Sequence, residues 1–304
     1  MKLKHFYESQ QLEPDIINEF FNRADLLRTQ NSLQILKGKV LATLFYEPST
    51  RTRLSFEVAM LKLGGNIIST ENAREFSSAV KGESIEDTIR VVSKYVDCIV
   101  IRHFEDGAAR KAAEVSSVPV INAGDGKGQH PTQALLDLYT IYKELGKIDC
   151  LKIAMVGDLA NGRTARSLCY LLGKFKNNEI IFISPENLKM RYDIKEYLLR
   201  HNVKFSEEKD LDKVLPNVDI IYMTRIQKER ITLDDYEKAK GKYVIDLSNF
   251  HIIKHSSRIL HPLPKIDEIK LPTKIEHSDQ RVAYFRQAEN GLYIRMALLI
   301  HLLT

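Results

Sequence analysis

VLATLFYEPSTRTRLSFEVAMLKLGG, residues 40–65, reads in order as a strand, a turn and a helix. Val40 to Phe45 is apolar apart from Thr43, the pattern of a strand buried on both faces. Proline cannot continue a central strand, so the run breaks at Glu47-Pro48. Phe56, Ala59, Met60 and Leu63 then recur at i, i+3, i+4 and i+7, and Gly64-Gly65 ends the helix they mark. Ser49-Thr50-Arg51-Thr52-Arg53 therefore sits between the carboxyl end of a strand and the amino end of a helix. Unpaired N–H groups and the positive end of the helix dipole meet there. Three hydroxyls and two guanidiniums in five residues suit a phosphate. Local chemistry alone leaves a plainer alternative open, a capped helix with a solvated basic turn.

Outward from this unit, strands and helices alternate. An amphipathic helix precedes it, with Ile16, Ile17, Phe20, Phe21, Ala24 and Leu27 at helical spacing after Pro14. Residues 70–84 are polar and irregular, and loops of that length are usually functional or mobile. Ser84 with Asp87 resembles a capping box ahead of Ile85, Ile89, Val92 and Val96. Strands are expected at 97–102 and 118–121, with a helix between them. A glycine-rich loop, 124–130, leads to a helix opened by Pro131 and closed by Gly146. A second alternating set follows. Its strands are expected at 151–156, 179–183, 203–205, 218–223 and 243–247, with helices after Gly162 and near 188–199. A last helix spans Gln287 to Leu303. The pattern predicts an α/β fold of two domains, each a parallel sheet flanked by helices. The boundary is placed near Gly146-Lys147, so that 1–146, completed by the returning helix 287–304, forms one domain and 147–286 the other.

The chain has 304 residues, 44% hydrophobic and 28% charged, with a net charge of +5, the balance of a globular protein with sizeable cores. Its densest arginines flank turns after apolar strands and form no continuous basic face, which favours small anionic substrates over nucleic acid. No run reaches the roughly 18 apolar residues of a membrane helix. MKLKHFYESQQLEPDII has no apolar segment ahead of a small-residue cleavage site, so a cytoplasmic protein is expected. Cys98, Cys150 and Cys169 are far apart in apolar contexts and read as small core residues, and no metal site or cofactor is expected.

Phe45-Tyr-Glu-Pro-Ser-Thr-Arg-Thr-Arg53, followed by Ser55-Phe56-Glu57, resembles the carbamoyl-phosphate motif of the aspartate and ornithine carbamoyltransferases, and the likeness extends to the terminal helix. The resemblance implies that Ser49, Thr50, Arg51 and Thr52 hold carbamoyl phosphate. It also implies that Arg102, in an Arg-His dipeptide ending an apolar strand, touches the phosphate and the carbonyl oxygen. His130-Pro131-Thr132-Gln133 is similar to the family's second signature. His130 would cap its helix, where the dipole disfavours the imidazolium, and a neutral imidazole could donate to a carbonyl oxygen gaining charge. Gln133 could accept from the carbamoyl amide. On these grounds Thr52, Arg102 and His130 are the expected catalytic donors. His261-Pro262-Leu263-Pro264 resembles the turn whose Pro262 and Leu263 carbonyls accept from the carbamoyl N–H2.

Gly157-Asp-Leu-Ala-Asn-Gly162-Arg163-Thr164 differs from the phosphate loop G-x-x-x-x-G-K-[ST] only by arginine for lysine, which raises a nucleotide site as the rival reading. A planar guanidinium does not replace the compact ammonium between phosphates. The surrounding GDLANGRTARSL resembles instead the family motif whose arginine, here Arg163, binds a substrate carboxylate. Arg225 and Gln227, two residues apart after a strand, can offer a fork and an amide to one carboxylate. Their Thr-Arg-x-Gln pattern resembles the aspartate-using members, and the Ser-Met-Gly of the ornithine-using members is missing from this sequence. The resemblance thus implies transfer of a carbamoyl group to the α-amine of aspartate, a step of pyrimidine synthesis. It further implies a homotrimer in which Ser77 and Lys81 reach a neighbouring subunit's site. Val80 stands where better-known members have a first lysine. No effector module lies in these residues, so regulation of that kind would come from a separate regulatory chain.

Overall fold

The computed structural model describes residues 2–30, 33–76 and 78–304, and divides the chain into two compact units. One comprises the residues up to Leu136 together with Glu289–Thr304; the other is Asp137–Ala288. The division runs through the middle of two helices, which supply turns to both units.

In the first unit, α1 (Pro14–Arg28) is followed by β1 (Val40–Phe45), α2 (Thr50–Lys62), β2 (Asn66–Glu71), a single turn α3 (Ala73–Phe76), α4 (Ile85–Val92), β3 (Cys98–His103), α5 (Ala108–Val115), β4 (Val120–Asp125) and α6 (Pro131–Leu145). All pairings are parallel and the sheet order is β2-β1-β3-β4. Ala42, Leu44, Ile99, Ile101 and Val120 pack against Ala109, Ala112 and Ala113 of α5, the core that a run such as VLATLF must find. Two differences from the sequence reading stand out. Residues 66–71 form a strand: β2 is the sheet edge, mostly exposed, and so lacks an apolar run. Strand β4 begins at 120 and continues to Asp125, because Asn122 and Asp125, polar yet buried, find hydrogen bonds inside the fold.

The second unit contains β5 (Lys152–Val156), α7 (Arg163–Leu172), β6 (Glu179–Ile183), α8 (Tyr192–Arg200), β7 (Lys204–Glu208), a short α9 (Leu211–Val214), β8 (Ile220–Met223), α10 (Leu233–Ala239), β9 (Ile245–Asp246), β10 (Arg258–Leu260), β11 (Ile269–Lys270) and α11 (Thr273–Ser278). The chain ends in α12 (Tyr284–Leu303). Its main sheet, again parallel, has the order β10-β8-β5-β6-β7. The strand expected at 243–247 is only Ile245–Asp246 and pairs with β11 outside this sheet. The position beside β8 is taken by β10, whose three residues are too few to announce a strand. Cys98 and Cys169 are buried in the cores, and burial pushes both thiols far up. Cys150 does not join them: it is exposed, on a left-handed residue with φ +58°.

Candidate active site

Both sheets reverse their winding once. In the first, the chain moves from β1 outward to β2, then returns to lay β3 on the other side of β1. In the second it moves from β5 to β6 and β7, then places β8 on the other side of β5. A crevice opens outside the carboxyl ends of the strands at such a reversal, and ligands bind there. The residues singled out by the sequence fall at these two points. Ser49 to Arg53 follow β1 and Arg102 lies at the end of β3; residues 157–163 follow β5 and Arg225 and Gln227 follow β8.

At the first reversal Ser49 is the N-cap of α2, yet its hydroxyl makes no capping bond, which leaves it available to an anion. Thr52 is buried on the first turn and Arg51 is exposed. The two guanidiniums of this stretch have different partners. Arg53 turns back to the sheet, donating to Ser69 Oγ at 3.2 Å and Glu71 Oε2 at 2.8 Å, with Glu57 at 3.5 Å. Buried Glu57 in turn accepts from Thr43 and Ser69 hydroxyls at 2.9 and 2.7 Å. Arg53 thus ties α2 to β2, and Arg51 is the arginine that faces outward. Arg102 donates to the Ala123 carbonyl at 3.3 Å and lies 3.6 Å from Glu47, so its fork is held at the strand end by its own neighbours.

His130 and Gln133, from the same unit, open α6. The His130 carbonyl accepts the N–H groups of Gln133 and Ala134 at 3.0 and 3.1 Å, which makes it the capping residue, and its ring is almost wholly buried. The loop before it is cross-tied. Asp125 accepts from the N–H groups of Gln129 and Gly107 at 3.0 and 3.1 Å. Gly126 passes so close to Asp106 that a Cβ would lie 1.9 Å from its carboxylate, so only glycine fits. The end of β3 and the cap of α6 are therefore fastened to one another through Asp125.

At the second reversal Arg163 is buried at the start of α7. Asp158, fully buried, accepts from the main chain and side chain of Asn161 and from the main chain of Gln227, linking the loop after β5 to the loop after β8. Burial pushes its carboxyl up against the pull of those donors. Arg225 forms a two-pronged ion pair with Glu229, 2.9 Å on one arm, and that hydrogen bonding raises its pKa while lowering that of Glu229. This intramolecular carboxylate, four residues on, was not part of the sequence reading. Gly157 makes the approach of the two loops possible: its φ is +115° and a Cβ would stand 2.1 Å from the Thr224 carbonyl. Gly157→Ala is expected to destabilise the protein by about 3 kcal/mol, seen as a lower denaturation midpoint in urea. An unchanged midpoint would mean that the strand ends part at no cost.

Pro262 and Leu263 form a half-buried turn after β10. Leu263 has φ +57°, a left-handed conformation costing roughly 1–2 kcal/mol for a residue with a side chain. Lys81 is exposed at the end of a 3-10 turn, Ser78–Lys81, and Ser77 lies outside the described residues. A cavity in the second unit is lined by Arg225, Lys240, Tyr236, Tyr243, Asp267 and Glu268 among others.

Residues 4–143 match the family described as aspartate/ornithine carbamoyltransferase, carbamoyl-P binding domain, and residues 149–302 match the corresponding Asp/Orn binding domain. The chain is 55% identical to aspartate carbamoyltransferase 3, chloroplastic, of Pisum sativum, over the whole chain and 78% of the pea protein. It is 50% identical to the aspartate carbamoyltransferase catalytic subunit of Methanocaldococcus jannaschii, over 94% of this chain and 92% of that one. The structure of aspartate transcarbamoylase from Trypanosoma cruzi in complex with carbamoyl phosphate and aspartate superposes with a TM-score of 0.93 at 37% identity, covering 100% of this chain and 98% of that one. These findings correct the cytoplasmic expectation. The pea relative, named chloroplastic, shares the whole fold, and a catalytic fold common to such proteins carries no cytoplasmic address.

Proposed function

The chain belongs to the aspartate/ornithine carbamoyltransferase family, and we propose that its two sheet reversals divide the substrates, carbamoyl phosphate at the first and aspartate at the second. The enzyme transfers the carbamoyl group of carbamoyl phosphate to the α-amine of aspartate, giving N-carbamoyl-aspartate and phosphate. The amine attacks the carbonyl carbon, the bond to the phosphate oxygen breaks, and overall one proton passes from the amine to the released phosphate. In this reading Ser49, Thr50, Arg51 and Thr52 hold the phosphate. Thr52, Arg102 and His130 donate to the oxygens that gain charge, and Gln133 with the Pro262 and Leu263 carbonyls accept from the carbamoyl N–H2. No side chain need act as a nucleophile. Holding the reactants in register supplies about 7–11 kcal/mol, and each donor aimed at the oxyanion about 2.7–4 kcal/mol.

The observation that carries the choice of aspartate is the second reversal, where Arg163, Arg225 and Gln227 come from loops linked through Asp158. Two guanidiniums and an amide suit a dicarboxylate, whereas an ornithine ammonium would be repelled and left unpaired. Incubated with carbamoyl phosphate and a panel of amino acids, the purified protein is expected to carbamoylate aspartate and to leave ornithine untouched. Robust citrulline formation would sink the assignment.

A homotrimer with shared sites, Ser77 and Lys81 of one chain serving the next, is also proposed. It is supported by an apolar surface on the first unit. Leu54, Val58 and Leu61, at i, i+4 and i+7 on α2, are 40–54% exposed, and Ile68 of the edge strand β2 is 47% exposed. A second copy of the chain is the proposed occupant of such a face. The methanogen relative's name, a catalytic subunit, supports a partner chain for regulation.

A further inference from the structure

His261 opens the His261–Pro264 turn and has been given no role, and it is among the most buried histidines of the described residues, 2% exposed. Its Nδ1 accepts the N–H of Leu263 at 2.7 Å. An amide can only donate, so Nδ1 bears no proton in this arrangement and the ring proton lies on Nε2. Nε2 in turn lies 2.7 Å from Glu268 Oε1 and donates to it. Glu268 is held by the N–H groups of Ile266, at 3.2 and 3.3 Å, and Asp267, at 3.0 Å. Burial raises the Glu268 carboxyl, but the His261 donor and these amides outweigh it and leave it below the ordinary carboxylate range.

The main chain of His261 is anchored separately. Its N–H donates to Gln287 Oε1 at 2.8 Å, and Gln287 Nε2 donates to Asp137 at 2.6 Å. Asp137, fully buried, also takes the Tyr222 hydroxyl at 2.6 Å. The ring is thus fixed at both nitrogens and the backbone beside it is fixed through three further side chains. What this apparatus grips is the N–H of Leu263, a residue held at positive φ whose side chain packs on the core of the second unit. A turn that only had to reverse the chain would place glycine or asparagine there.

We propose that His261 and Glu268 are positioning residues that lock the Pro262–Leu263 peptide so that the Pro262 carbonyl, on the opposite side of that peptide from the gripped N–H, is aimed at the carbamoyl N–H2, giving the enzyme its selectivity for a carbamoyl over an acyl phosphate. The inference rests on the reading of Pro262 as an acceptor for that amine. Glu268 and Arg225 line the same cavity, so the lock lies against the proposed aspartate side of the site.

Acetyl phosphate tests it, because a methyl group stands where carbamoyl phosphate has its amine. The wild-type enzyme should bind carbamoyl phosphate better than acetyl phosphate, read as KM against the inhibition constant. His261→Gln can still donate to Glu268 but offers nothing at the Nδ1 position; His261→Asn can accept from Leu263 through Oδ1 but cannot reach Glu268. The glutamine variant is expected to lose about ten-fold in carbamoyl-phosphate affinity, the scale of one misaligned hydrogen bond. Its acetyl-phosphate affinity should be unchanged, and the asparagine variant should recover most of the discrimination. Should the glutamine variant fail to fold, Glu268→Ala, which frees the ring at Nε2 but leaves Nδ1 on Leu263, should show a selective loss in the same direction, partial like that of the asparagine variant. Equal losses for both ligands, or unchanged discrimination in the glutamine and alanine variants, would overturn the proposal. A wild-type enzyme that does not discriminate at all would instead remove the acceptor role of Pro262 on which the proposal rests.

Discussion

Arg51→Ala and Lys81→Ala chains are each expected to be nearly inactive alone and to regain activity when mixed, dissociated and reassembled. Arg51 is the outward-facing guanidinium of the first reversal, since Arg53 is occupied by Ser69, Glu57 and Glu71. If Arg51 holds the phosphate as proposed, its removal takes away a charge-assisted contact, and each such bond contributes about 1.5–3 kcal/mol. Lys81 is a flexible ammonium on an exposed turn ahead of Gly82, whose φ of +86° lets the chain change direction. An exposed lysine on a loop usually does nothing measurable, so a large loss on its removal already requires that it reach a ligand. Complementation asks whose ligand. If Lys81 of one chain serves the neighbour's Arg51, a random mixture in a closed trimer leaves about a quarter of the sites with both side chains intact. Activity near that fraction of wild type is the expected result, measured as carbamoyl-aspartate formation after reassembly. Mixed assemblies that stay dead, or a fully active monomer, would show that each site is built from one chain.

How much of this was legible in the sequence depended on which physical signal each part leaves. The strand–turn–helix at 40–65 was readable because both faces of β1 are buried and because α2 repeats apolar residues at helical spacing. The reversals of the sheet were not, since strand order is a matter of pairing partners that no local pattern encodes. Yet Ser49 to Thr52, Arg102, Arg163, Arg225 and Gln227 fell at a reversal, in the loops that follow β1, β3, β5 and β8, whereas Lys81 follows β2 and His130 follows β4. Two of the four outer strands escaped: β2 has too much exposed polar surface and β10 is too short. Arg51 and Arg53 were indistinguishable by type, and only the pairing of β2 with β1 supplies the Ser69 and Glu71 that claim Arg53. The grip of Glu229 on Arg225 and the His261–Glu268 pair each join residues few positions apart. Their spacings, i+4 and i+7, are helical ones, but neither pair lies on one α-helix, so no periodic pattern distinguishes them from solvated neighbours. Cys150 illustrates the converse error, an apolar neighbourhood in sequence that the chain turns out toward solvent at a left-handed residue.

His130→Asn separates the capping observed for His130 at the start of α6 from the catalytic task proposed for it. As a cap, His130 is defined by its carbonyl, which accepts from Gln133 and Ala134, and by its place one residue before Pro131, where the helix begins. Asparagine is among the best capping residues, and the backbone contacts do not depend on the side chain, so the helix should survive. As a catalytic donor, the imidazole is defined by its near-complete burial beside a helix start, with the Thr132 hydroxyl 3.4 Å from Nδ1. The helix dipole there disfavours a second ring proton, and a neutral ring would present a single N–H to the carbonyl oxygen as it gains charge. A shorter amide cannot put a donor at the same point. Turnover is therefore expected to fall by about ten- to a thousand-fold, the scale of one lost oxyanion contact. The thermal midpoint should stay within a few degrees of wild type. The tie through Asp125 sharpens the reading, because it fixes the loop before His130 from the β3 side and keeps the backbone in place whatever side chain follows. If turnover holds while the midpoint drops, His130 serves the helix and not the reaction, and the oxyanion would have to be met by Thr52 and Arg102 alone.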